Sequence, residues 1–171
     1  MYDIQWLKEK ESELKLTFKE HFETFFREFD YADLPAIKAR RVNIRDHKDI
    51  SKLLYKDGVY LILTDYMIDE NPCELIIDNL KVIYRGHGSK VRKRVESHLF
   101  NKKYKLDKDG TNYTVCMKLN GDNGINLNEE PYCKFKWLVV SHSMPYSSKT
   151  MREQAEQAFD SIFNKPVGSY V

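Results

Sequence analysis

Apolar residues between Asp3 and Phe29 recur at helical spacing, as Leu14, Phe18, Phe22, Phe25 and Phe29, with charged residues between them. The spacing predicts one amphipathic helix whose stripe faces a core or a subunit contact. Asp33-Leu34-Pro35 ends it, because the residue before a proline is pushed towards extended backbone. Gly58 to Thr64 then alternates as a strand, with Val59, Leu61 and Leu63 on one face and Tyr60 and Ile62 on the other. Leu80 to Arg85 reads as a second strand, and antiparallel pairing with the first is the economical arrangement. Gly86-His87-Gly88 stops it, and Ser89 offers an N-cap. Val91, Val95 and Leu99 then form the buried stripe of a helix ending near Asn101. Further on, Tyr113 to Lys118 suits a strand, and Asn120 to Asn128 is a Gly/Asn/Asp loop. Phe135 to Val140 suits a strand buried on both faces. Lys149 to Phe163 forms a last helix with Ala155, Phe159, Ile162 and Phe163 facing inward, closed by Lys165-Pro166-Val167-Gly168. The class this implies is α+β, a small and mainly antiparallel sheet flanked by helices.

At 171 residues, with 42% hydrophobic and 32% charged residues, the chain suits one globular domain with an appended arm and excludes a large multidomain enzyme. No apolar run has the length of a membrane span and no leader pattern opens the chain, so a cytoplasmic protein without membrane contact is expected. Cys73, Cys116 and Cys133 are odd in number and widely spaced, which argues against a disulfide framework or a structural zinc site. The net charge of +2 conceals a division along the chain: the 25 residues from Lys81 to Lys105 hold nine Lys/Arg against the single acid Glu96, a window of +8. The remainder sums to −6, with 19 basic against 25 acidic residues. A segment this basic points to a polyanion. A second, shorter basic stretch, Lys38, Arg40, Arg41 and Arg45, suits a phosphate backbone or a solvated surface about equally.

Chemistry-bearing residues gather in and around the basic window. Gly58-Val59-Tyr60 lies on one strand, Tyr84-Arg85-Gly86 on its expected partner, and Arg94 with His98 on the following helix. Arg94 and His98, four residues apart, project from one side of that helix beside its apolar stripe. A guanidinium there offers a planar fork of donors to phosphoryl oxygens, although a single helical arginine more often meets solvent or a neighbouring acid. A strand tyrosine is by itself most often a packing residue with a satisfied hydroxyl. A phenol, with a pKa near 10, is also a poor base at neutral pH unless cations stabilise the phenolate.

Taken together and in order, Gly58, Tyr60, Tyr84, Gly86, Arg94 ten residues past Tyr84, His98 and a late-helix glutamate resemble the GIY-YIG nuclease superfamily over about Lys52 to Gly168. The resemblance is closest to its compact restriction endonucleases. It implies an N-terminal helical extension over residues 1–50 and a nuclease domain over 51–171. It further implies a DNA endonuclease, cutting by tyrosine-assisted attack of water, with Tyr60, Tyr84, Arg94, His98 and Glu156 as the catalytic set. Glu156 would hold one Mg²⁺ or Mn²⁺, with Glu153 as the runner-up; His87 has no assigned role. Arg85, Lys90, Arg92, Lys93, Lys102 and Lys103 would grip double-stranded DNA, and a palindromic target would favour a two-fold homodimer. A binding module of the same fold that does not cleave is the alternative. Three features depart from the family pattern: Arg85 at the centre of the second tripeptide, an insertion from Asp65 to Asn79, and Gly168-Ser169 where an asparagine is expected.

Overall fold

The computed structural model describes residues 2–33, 39–100, 117–119, 122–123 and 125–169. The expected strand from Tyr113 to Lys118 lies mostly outside these residues, as do Lys38, Lys102, Lys103, Lys105 and Cys116. The protein is α+β. Helix α1 (Ile4–Glu28) leads to strand β1 (Arg40–Asn43), a 3-10 helix (His47–Lys52) and β2 (Gly58–Thr64). Then come β3 (Ile76–Ile77), β4 (Leu80–Gly88) and α2 (Val91–Leu99), a short ribbon of β5 (Lys118–Leu119) and β6 (Asp122–Asn123), β7 (Trp137–Ser143) and α3 (Lys149–Phe163).

Five strands form one antiparallel sheet in the order β1-β7-β2-β4-β3. Its two faces carry the two apolar sets that alternation along β2 predicts. Tyr60 and Ile62 join Val91, Val95 and Leu99 of α2, with Ile50 of the 3-10 helix and Leu53 just after it, on one face. Leu61 and Leu63 join Phe26 of α1 and Ala158 and Phe159 of α3 on the other. Directly paired residues on neighbouring strands point to the same side. Arg40, Ser141, Tyr60 and Gly86 therefore form one row across β1, β7, β2 and β4, on the α2 side.

The register of β2 with β4 slips between the pairs Ile62/Tyr84 and Leu63/Val82, leaving Ile83 as an extra, bulged residue. The bulge puts both Ile83 and Tyr84 on the α2 face, while Arg85 faces α3. The backbone N–H of Gly168 donates to Ile83 O at 2.8 Å, and the Ser169 hydroxyl accepts from the Arg85 N–H at 2.9 Å. Gly168-Ser169, at the expected asparagine's place, thus covers the outer edge of β4.

Several expectations shift in detail. The residues Arg40 to Asn43, expected within an appended extension, supply an edge strand of the sheet itself. Leu14 of the apolar stripe is half exposed, and the side chain that α1 buries most is Phe26, which the stripe passed over. Helix α2 is capped at Lys90 and not at Ser89, and it ends at Leu99. The late apolar strand begins two residues later than expected, because Phe135 follows a second 3-10 helix (Tyr132–Lys134). Cys73 is buried and Cys133 exposed.

Candidate active site

The sheet and α2 bring Tyr60, Tyr84 and His98 into one ring cluster. Tyr84 and His98 have centroids 4.6 Å apart, and those of Tyr60 lie 6.0 Å from Tyr84 and 6.1 Å from His98. Glycine at position 86 follows from this crowding. A Cβ there would stand 2.6 Å from the Tyr60 hydroxyl and 2.7 Å from the edge of the Tyr84 ring. A Cβ at Gly58 would meet the His142 carbonyl oxygen at 2.3 Å, so that glycine is required by the β7 backbone.

His98, expected at the edge of the core, is completely buried, as is Tyr60. Their Nε2 and Oη atoms lie 2.9 Å apart, and the Tyr60 hydroxyl also hydrogen-bonds to Tyr84. Tyr60 has one phenolic hydrogen, so it donates to one neighbour and accepts from the other. Burial, with the nearby charge of Arg94, pushes the imidazole down to about 3, so His98 is neutral. Its Nδ1 is buried with no hydrogen-bond partner among the described residues. Burial, then the proximity of Tyr84 and Glu156, raises Tyr60 well above the usual phenol range, and Arg94 alone pulls it back.

The charges of Arg94 and Glu156 both act on the Tyr60 hydroxyl. The Arg94 stem passes over Gly88, where a Cβ would sit 3.1 Å from its Cγ. Its charge acts on Tyr60, His98 and Glu156 alike. Glu156, on α3, receives Arg85 Nη1 at 3.3 Å on one oxygen and faces His87 Nε2 at 3.7 Å with the other. Burial raises its carboxyl to about 7, against the opposing pull of Arg85 and Arg94. Burial, and then Arg152, lowers the His87 imidazole to about 4. His87 thus stands as a neutral side chain beside Glu156.

The other expected residues divide. Glu153 is 40% exposed and pairs with Lys149 along α3, which leaves Glu156 as the carboxylate at the site. Lys90 and Lys93 are exposed. Arg92 donates to Leu53 O at 2.9 Å and lies over the Tyr55 ring at 5.2 Å. Arg85 does not join this exposed surface. It is 7% exposed and forks onto both oxygens of Asp160, at 3.0 and 2.6 Å, which leaves it no donor set for a phosphate. The bulge at Ile83 is the physical reason. Asp160 was absent from the sequence-derived set, although its spacing of four from Glu156 put it on the same helical face.

The donor chemistry at Glu156 suits a hard cation. Among the described residues no group of three His, Cys, Asp or Glu side chains gathers to hold a metal. A single carboxylate fits Mg²⁺ or Mn²⁺ that keeps most of its waters, and not a closed zinc site.

No protein-family model matches the chain, and neither do curated proteins or solved structures. What the coordinates define is an α+β protein with two sheet tyrosines, a helical arginine and histidine, and a glutamate from the last helix at one end of an antiparallel sheet. No described helix is long and apolar enough to cross a membrane.

Proposed function

We propose that the protein is a divalent-metal-dependent endonuclease that hydrolyses phosphodiester bonds in double-stranded DNA, of the GIY-YIG type its motifs resemble and, in its compactness, like a restriction endonuclease. One observation carries the reading: Tyr60, Tyr84 and His98 form one ring cluster, and the charges of Arg94 and Glu156 both act on the Tyr60 hydroxyl. Arg94 supplies a fork of donors where charge develops on phosphoryl oxygens. The Tyr84, Tyr60 and His98 chain holds hydrogen bonds along which the attacking water's proton moves. In the hydrolysis the water oxygen bonds to phosphorus, one P–O ester bond breaks, and the departing alkoxide takes up a proton. A cation on Glu156 would supply positive charge to that leaving oxygen. Glu156 is also one of the groups that raise Tyr60, so neutralising it makes the phenol easier to deprotonate and the phenolate, the form that can take the water's proton, more accessible.

The full burial of Tyr60 and His98 favours one other reading, a DNA-binding module of this fold that does not cut. Plasmid digestion with Mg²⁺ separates the two. Wild type is expected to cut, with Glu156→Gln and Arg94→Ala reduced at least about 100-fold and Glu153→Gln unaffected. Discrete fragments would mark sequence recognition and a smear its absence. Binding without cleavage over many DNAs would establish the module instead.

A further inference from the structure

The outer side of edge strand β1 opens into a cleft of about 550 Å³, lined by Arg40, Arg41, Arg45, Asp49 and Lys52. Its acid is already committed. Asp49 accepts the backbone N–H of Arg45 and the Lys52 ammonium, and that ammonium with the Arg45 N–H holds its carboxyl down at about 2. Arg41 is paired with Asp78. Arg40 and Arg45 are exposed and carry no ion pair among the described residues. As the sheet edge, β1 also turns unpaired backbone N–H and C=O groups outward. The exposed guanidiniums of Arg40 and Arg45 are complementary to a group that only accepts, and a phosphodiester is such a group.

Two relations tie this cleft to the candidate active site. Arg40 lies in the same cross-strand row as Tyr60, on the same side of the sheet, with only β7 between them. Two strand spacings are about 10 Å. At the end of the first 3-10 helix, Lys52 O accepts from Arg40 at 3.3 Å and the next carbonyl, Leu53 O, accepts from Arg92 of α2 at 2.9 Å. Consecutive carbonyls thus hold a guanidinium from β1 and one from α2.

We propose that the β1 cleft is a phosphodiester-backbone site that holds duplex DNA flanking the position acted on at Tyr60 and Arg94. It rests on the nucleic-acid reading above and adds to it a second contact surface outside the catalytic residues. Binding of a labelled 25-base-pair duplex, followed by fluorescence anisotropy in EDTA over a range of salt concentrations, tests it. For Arg40→Ala/Arg45→Ala the slope of log affinity against log salt is expected to become shallower by about 1.8, at about 0.9 per lost phosphate contact. Arg40→Lys/Arg45→Lys should keep most of the slope. Lys10→Ala/Lys15→Ala, which removes equal charge from α1, should leave it unchanged. Thermal melts check that each variant is folded. If wild type binds and the slope is the same in the Ala pair, the cleft proposal is overturned while the nuclease reading stands. If wild type itself fails to bind duplex at low salt, both fall.

Discussion

A neutral imidazole sealed against a phenol carries a cost that appears only in acid. His98 stays deprotonated in the fold down to about pH 3, whereas in the unfolded chain it takes its proton near 6.5. Between those values the unfolded state binds the extra proton, so stability is full above pH 6.5 and falls as the pH is lowered. The slope approaches about 1.4 kcal/mol per pH unit. Urea melts at pH 7.5, 6.0 and 5.0 should show wild type losing about 1 kcal/mol more than His98→Gln between pH 6.0 and 5.0 and less between 7.5 and 6.0; equal slopes would mean the imidazole is not held neutral. Gly86 is the steric counterpart. The atoms a Cβ would strike are parts of two buried rings, not the ends of flexible chains. Gly86→Ala should therefore cost roughly 3 kcal/mol and lower the melting temperature measurably, and a neutral effect would show that the two rings do not sit as described.

Helix α1 is long enough, at 25 residues, to span about 37 Å, yet only its C-terminal half is packed. Phe26 is 3% exposed and meets the Phe159 ring at 5.5 Å, while Leu14, about three turns nearer the N-terminus, is 50% exposed. Phe26→Ala should cost about 3–5 kcal/mol, and Leu14→Glu less than about 0.5 kcal/mol, in denaturant unfolding. The contrast shows what periodicity conveys. The spacing of Leu14, Phe18, Phe22 and Phe25 states that a helix forms and roughly which face is apolar, but not how far along its length the body of the protein reaches. Strands β2 and β4 were legible because alternation of Val59 to Leu63 matched a sheet covered on both faces. Strand β1 was not, since Arg-Arg-Val-Asn buries one side chain and carries no alternation to detect. The bulge at Ile83 was equally invisible. A single extra residue in β4 leaves no mark on composition, yet it decides that Tyr84 faces α2 and Arg85 faces α3.

Across the whole molecule, the +8 window is not one surface. The bulge turns Arg85 inward, Arg94 bends over Gly88 toward the candidate site, and Arg92 is pinned to the first 3-10 helix; Lys90 and Lys93 stay outward. Charge counted along the chain located the candidate site, because Tyr84, Arg94 and His98 do lie within that segment. It could not separate a cation that meets a ligand from one that binds two layers of the fold together. Arg85 is of the second kind: it joins the central sheet to α3 through Asp160 and steadies Glu156 beside them. Removing it would leave two carboxylates confined together without the counter-charge that contacts both. Arg85→Met is expected to destabilise the protein by about 3–5 kcal/mol. Arg85→Met/Asp160→Leu, which removes the partner as well, should recover a substantial part of that loss, because an apolar pair of similar volume replaces a buried ionic one. A double-mutant cycle from chemical denaturation reads the coupling directly. Additive losses in the cycle would place Arg85 back among the solvated cations, and a coupling of about 2 kcal/mol or more would place it in the joint between sheet and helix.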